Sequence, residues 1–184
     1  MTKIALRRHY RAARAAFVAG LTPGMREQME RRLADVIAPA LTGHRMAGTY
    51  AAVRDEIDPV WIEKRGPHAF PRIAGPELVF HQAEWRDLRP GFNAIPEPPA
   101  TAPIVHPDLL LVPLLAVTLD GVRLGQGRGY YDRALARLRA RQPVLAIGIA
   151  WECQIAPALP ADPWDMPLDM VATPERLVDC RKTG

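Results

Sequence analysis

Lysine is nearly missing from this chain of 184 residues. Of its 24 basic residues only Lys3, Lys64 and Lys182 are lysine, and the remainder are arginine. A coding bias toward arginine would produce this without any function, so the positions of the charges must decide what a net charge of +4 means. Cysteine is also scarce. Cys153 and Cys180 form neither a C-x-x-C pair nor a zinc pattern, and two thiols are too few for a disulfide scaffold, so a reducing compartment is expected. The five histidines have no H-E-x-x-H or paired spacing, and no G-x-S-x-G elbow occurs, which leaves zinc chemistry and a serine triad without support. The longest apolar run, Leu109 to Val117, is interrupted by Pro113 and is too short to span a bilayer. No charged-then-apolar segment opens the chain, and a cytoplasmic protein with no membrane partner is expected.

Acidic side chains are absent from the first 26 residues, which hold Lys3, Arg7, Arg8, Arg11, Arg14 and Arg26. Such a start fits an organelle transit peptide, a nucleic-acid arm, or a folded helix with a basic stripe. Serine is absent from this stretch and the helical pattern runs directly into a second helix, which argues against a transit peptide. An RNA-binding role lacks interleaved aromatics beyond Tyr10 and any known module, so no nucleic-acid partner is expected.

Leu6, Tyr10, Ala13 and Phe17 recur at helical spacing from Lys3 to about Gly20, while Lys3, Arg7, Arg11 and Arg14 share a stripe on another face. A second helix is predicted from Pro23 to Leu41, with Thr22 as its cap. Strands are predicted at Met46 to Val53, His68 to Ile73, Leu78 to His81, Leu109 to Val117 and Val144 to Ala150. Further helices are predicted at about Pro59 to Arg65 and Tyr130 to Arg141. Arg89 to Pro107 carries six of the 19 prolines and must be a loop. The β-loop-α-β succession beginning at the unbroken apolar run of Leu109 predicts a single-domain α/β fold over residues 1–184. It would be a three-layer sandwich with a largely parallel central sheet.

The densest chemical signal is GVRLGQGRGYYD, Gly121 to Asp132. Four glycines there leave backbone amides uncovered, and Arg123 and Arg128 add cations ahead of a helix start. A loop of this kind can cradle an anion, phosphate above all, although it is neither a Walker loop nor a Rossmann fingerprint. A flexible turn accounts for one or two of the glycines, less readily for four alternating with arginines. Asp132 can complement the positive end of its helix or, beside a phosphate, bind Mg²⁺. Glu56, in Arg54-Asp55-Glu56-Ile57-Asp58 after a predicted strand, is either a helix-capping residue or a ligand contact at the carboxyl edge of the sheet.

Asp108 to Leu135, DLLLVPLLAVTLDGVRLGQGRGYYDRAL, resembles the signature of the 5-formyltetrahydrofolate cyclo-ligase family. Weaker matches occur in order along nearly the whole chain: Lys3-x-x-Leu6-Arg7, Asp55 to Asp58, Phe70-Pro71-Arg72, Ile95 to Pro98, Gln154, Leu159-Pro160 and Asp165-x-x-Leu168-Asp169. The resemblance implies a ligase in which ATP and Mg²⁺ drive cyclisation of 5-formyltetrahydrofolate to 5,10-methenyltetrahydrofolate, with release of ADP and phosphate. It implies ATP contacts at Lys3, Arg7, Arg123 and the loop Gly125, Gln126, Gly127, Arg128, Gly129, Tyr130 and Tyr131. Reduced folate would meet Ala51, Glu56 and Gln126 to Tyr130, with Arg128 and Tyr130 as the catalytic pair. The metal site would be Asp132, Asp165 and Asp169, the first two matching the Mg²⁺ carboxylates and Asp169 a recurrent acidic position nearby. Two positions depart from the family. Val117-Thr118 replaces its usual Phe-Asp, and Trp164 stands where a histidine is common. The first departure keeps open an alternative, a non-catalytic folate- or nucleotide-binding protein on the same fold.

Overall fold

The computed structural model describes residues 1–182. Two helices come first, α1 (Lys3–Ala19) and α2 (Pro23–Leu41). Each is started by the threonine ahead of it, Thr2 accepting the Ala5 amide and Thr22 the Met25 amide, which satisfies an N–H that the helix cannot. The strands are β1 (Ala47–Gly48), β2 (His68–Ala74), β3 (Glu77–Gln82), β4 (Arg89–Pro90), β5 (Pro96–Glu97), β6 (Ile104–Val105), β7 (Leu109–Pro113), β8 (Ala116–Val117), β9 (Arg123–Leu124), β10 (Leu145–Ile149), β11 (Met170–Ala172) and β12 (Leu177–Asp179). Helix α3 (Val60–Glu63) follows β1, and α4 (Tyr130–Arg139) follows β9.

Among the described residues, eight strands form one sheet in the order β12-β11-β10-β7-β1-β2-β3-β6. The five from β11 to β2 are parallel, and the outer ones join by antiparallel pairing. The alternation inside the apolar run of β7 accounts for the layers. Leu109 and Leu111 pack with Leu33, Ala34 and Ile37 of α2, while Leu110 and Val112 pack with Ala134, Leu135 and Leu138 of α4. A strand covered on both faces needs no polar alternation, as the sequence suggested. No helix among the described residues is long and apolar enough to cross a membrane.

Three segments differ from the sequence reading. The expected strand Met46 to Val53 pairs only at β1, with one more ladder bond from the Thr49 amide to Ala69, before the chain turns out of the sheet. Gly48 lies where a Cβ would come 2.4 Å from Leu110 Cδ2, so only glycine lets β1 seat between its neighbours. The expected strand Leu109 to Val117 breaks after Pro113, because the Leu114 carbonyl accepts from Arg14 at 3.2 Å and Gln154 at 2.8 Å instead of from a strand. Its remainder, β8, leaves the sheet as a hairpin with β9. Strands β11 and β12 were not foreseen; at three residues each they carry no periodicity. The proline-rich stretch, expected to be a loop, also carries the short strands β4, β5 and β6, the last of them an edge strand of the main sheet, and it packs down where Ile95 meets Ala51 and Phe70.

Glu63 ends α3 inside the protein, with Oε1 accepting the Thr49 hydroxyl at 2.8 Å. Burial pushes its carboxyl up to about 7. The folded state therefore favours the protonated acid. The stability this provides is complete below the ordinary glutamate range and is lost as pH rises through about 7. The melting temperature should fall between about pH 5 and 8, and Glu63→Gln should flatten that fall. An equal slope in the variant would assign the pH dependence to another group.

Candidate active site

A cleft of about 1150 Å³ opens over the carboxyl ends of β1 and β7, where open α/β sheets place their ligands. Helix α1 forms one side. Its cations recur at spacings of three and four, which brings them to one face, and each reaches a different group. Lys3 Nζ donates to Asp162 Oδ2 and Asp165 Oδ2, both at 2.7 Å. Arg7 Nε donates to the Gly125 carbonyl at 3.0 Å and Arg11 to Gln126 Oε1 at 2.7 Å. Arg14 donates through Nε to Asp55 Oδ2 at 3.1 Å, and its Nη1 lies 3.6 Å from Glu56 Oε1.

The glycine loop faces these cations. Gly127, at φ +97°, brings the backbone so close to Arg7 that a Cβ would sit 3.1 Å from Cζ, and Gly129, at φ +66°, precedes α4 in the left-handed conformation. Both positions need glycine for conformation as well as space. Arg128 is exposed and stacks 4.8 Å from the Phe92 ring centroid, while Tyr130 and Tyr131 line the wall. Burial, then the Glu56 charge opposite, pushes the Tyr131 hydroxyl up. Arg123 is buried and paired with Asp132, yet its Nε has no partner among the described residues. A buried donor without an acceptor costs free energy.

Asp132 Oδ1 accepts from Arg123 and from the Met166 amide at 3.0 Å, and Asp165 Oδ2 from Lys3 and from the Asp162 amide at 2.8 Å. Burial works to raise Asp165, but the Asp162 amide and Lys3 outweigh it and hold the carboxyl below the usual range. Each aspartate keeps its second oxygen without a hydrogen bond among the described residues. No group of three or more His, Cys, Asp or Glu among those residues could hold a metal unaided. A pair of carboxylates fits Mg²⁺, which commonly takes one or two and completes its shell with phosphates and water. Asp169 must be corrected. It precedes β11 at the amino edge of the sheet and does not line the cleft. Its carboxylate accepts from the Ala146 amide at 2.7 Å and from Arg139 at 2.8 Å.

Opposite the loop, the turn after β1 is fixed by its carbonyls. Arg26 donates to the carbonyls of Arg54 and Glu56, Trp151 Nε1 to that of Asp55, and the Tyr50 hydroxyl to that of Ile57. Four consecutive carbonyls are thus held by side chains, with Arg54 in the left-handed region at φ +57°. Glu56 Oε2 accepts the Val53 amide at 3.1 Å. Burial raises the Glu56 carboxyl and Arg14 opposes it. Ala51 lies beside the turn, buried except where it lines the cleft.

All the residues expected at the site except Asp169 line this one cleft. Sequence reasoning did not assign roles to Asp55, Phe92, Asp162 or Arg26, nor to Arg11 and Arg14, although the last two belonged to the same basic stripe. Trp164, 71% exposed at the mouth, also lines it. Val117 and Thr118 do not. Val117 is buried in the core, and the Thr118 hydroxyl bonds within the hairpin turn, to Asp120 and the Val122 amide. The departure from the family pattern therefore alters a turn outside the cleft.

Fold and cleft together define an α/β protein with a glycine- and arginine-rich loop set against a carboxylate-bearing turn. The model of the 5-formyltetrahydrofolate cyclo-ligase family matches residues 73–174. With more than half of its length matched, the chain belongs to that family. It is 42% identical over 77 residues to the 5-formyltetrahydrofolate cyclo-ligase of Escherichia coli (strain K12), covering 41% of each chain. It is 36% identical over 102 residues to the Mycolicibacterium smegmatis enzyme of the same name, covering 50% of this chain and 52% of that one. These alignments span about half or less of the curated relatives' lengths. The solved structure of Aquifex aeolicus 5,10-methenyltetrahydrofolate synthetase superposes with a TM-score of 0.81 at 28% identity, over 98% of this chain and 94% of that one. The Mycoplasma pneumoniae synthetase gives 0.69 at 25% identity, over 95% and 99%.

The turn's dependence on Arg26 is testable. Arg26→Met removes the donors to two of its carbonyls and should cost about 1–3 kcal/mol in urea unfolding. Amide exchange in residues 53–57 should quicken. Unchanged stability and exchange would mean that the turn is held without Arg26.

Proposed function

We propose that this chain is a 5-formyltetrahydrofolate cyclo-ligase, closing 5-formyltetrahydrofolate to 5,10-methenyltetrahydrofolate at the expense of ATP, with release of ADP and phosphate. The observation that carries the reading is one cleft in which a cationic glycine loop faces a half-buried carboxylate. Single-ligand pockets hold about 300–1,000 Å³, and a cleft of about 1150 Å³ has room for a nucleotide and a folate side by side.

The chemistry requires placement more than a protein nucleophile. A formamide oxygen is a poor leaving group until it is phosphorylated. Transfer of the γ-phosphoryl group to the formyl oxygen makes an iminophosphate; N10 then attacks the activated carbon, gives up its proton, and phosphate departs. Lys3, Arg7, Arg123 and the amides of Gly125 to Gly129 would bind the phosphates, and Arg128 would neutralise charge on the transferring group. Tyr130 and Ala51 would border the folate, and Glu56 would accept from the N–H edge of its pterin. Asp132 and Asp165 would hold Mg²⁺, whose contribution is charge neutralisation on the phosphates.

Mixing the protein with 5-formyltetrahydrofolate and MgATP should generate the longer-wavelength absorbance of the conjugated methenyl product. Binding of both ligands without that band would overturn the enzyme reading. Arg128→Ala should lower turnover by about 100-fold, the scale of one lost oxyanion donor, and leave the melting temperature nearly unchanged because its side chain is exposed. Parallel loss of folding and turnover would make Arg128 a structural residue.

A further inference from the structure

Arg14 is a cation that neither the phosphates nor the metal requires, and its side chain is only 5% exposed. Burying a guanidinium is costly unless its partners are well placed. Here they come from two distant segments: Asp55 and Glu56 on the turn after β1, and the Leu114 carbonyl at the end of β7. We propose that Arg14 is the positioning residue of the folate half of the cleft, fixing the direction and charge of the Glu56 carboxylate that meets the pterin. The inference rests on the folate reading above.

The geometry separates the two oxygens of Glu56. Oε2 is occupied by the Val53 amide, whereas Oε1 has Arg14 at 3.6 Å, close enough for attraction but too far for a hydrogen bond. That oxygen stays charged and available to a ligand's N–H. The 3.1 Å bond of Arg14 goes to Asp55 instead, so the guanidinium stands against two neighbouring carboxylates. Without it, like charges in a buried site would drive one carboxyl to take up a proton. A protonated Glu56 offers a donor where the pterin edge offers donors too. The other groups around Glu56 cannot replace Arg14. Tyr50 and, from α4, Tyr131 have hydroxyls pushed up and stay neutral, Asp55 repels, and Arg26 of α2 is engaged with backbone carbonyls.

The test measures KM for 5-formyltetrahydrofolate and for ATP, with kcat, as a function of pH below and through neutrality. It uses the full chain and Arg14→Gln, Arg14→Lys and Glu56→Gln. Arg14→Gln should raise the folate KM about tenfold or more, a loss of one charge-assisted contact, while the ATP KM stays within about twofold. Its low-pH decline in kcat/KM for folate should begin nearer neutrality, and Arg14→Lys should recover part of both effects. In Glu56→Gln that decline should disappear. If Arg14→Gln does not fold, Arg14→Lys decides, since its folate KM must still rise above wild type with ATP unaffected. Equal changes in both KM values, or an unmoved low-pH decline, would overturn the proposal. Glu56→Gln with unaltered folate KM would overturn the folate reading of the turn itself. A weakened Glu56→Gln beside unaffected Arg14 variants would overturn only the role of Arg14.

Discussion

The cleft depends on the cations of α1 being neutralised by carboxylates that belong to other parts of the chain. Lys3 takes Asp162 and Asp165, and Arg14 takes Asp55 with Glu56 nearby. Arg14 is the buried member of the set, and removing its carboxylates would leave an uncompensated buried charge, which costs far more than the intact pair contributes. The helix is also located by its apolar side. Tyr10 packs with Leu115, Ala116 and Leu124, and Phe17 lies 5.6 Å from Trp151. Packing sets where the helix runs, and the ion pairs then tie the turn after β1 and the loop around Asp162 to that position.

The corner at Leu114 joins this arrangement to the core. The central strand ends there because its carbonyl is taken by Arg14 and Gln154, and the chain passes into the hairpin that carries Arg123. One break in an apolar run thus sets both the wall beside Glu56 and the approach to the glycine loop. Arg123 arrives there buried, paired with Asp132 and with its Nε unsatisfied.

The sequence made much of this legible because its strongest signals were local. Thr22 and Pro23 marked the start of α2, the unbroken run after Leu109 marked a doubly covered strand, and the glycines before Tyr130 marked a loop of uncovered amides. Long-range relations were less visible. The basic stripe of α1 could be read from spacing, but nothing local paired Arg14 with a turn some forty residues away. Asp169 shows the opposite error, since the family resemblance, rather than anything in its spacing, placed it beside Asp165. A short chain segment instead carries the second carboxylate to the other edge of the sheet, where it holds Ala146 and Arg139. The strands β11 and β12 escaped notice because three residues are too few to display a period.

If the cleft brings the terminal phosphate of ATP onto the formyl oxygen of the folate, the fate of that oxygen reports it most directly. With the formyl oxygen of 5-formyltetrahydrofolate labelled by a heavy isotope, turnover in MgATP should place the label in the released inorganic phosphate. Label appearing in water while the methenyl product and ADP form would contradict direct phosphorylation of the formyl group.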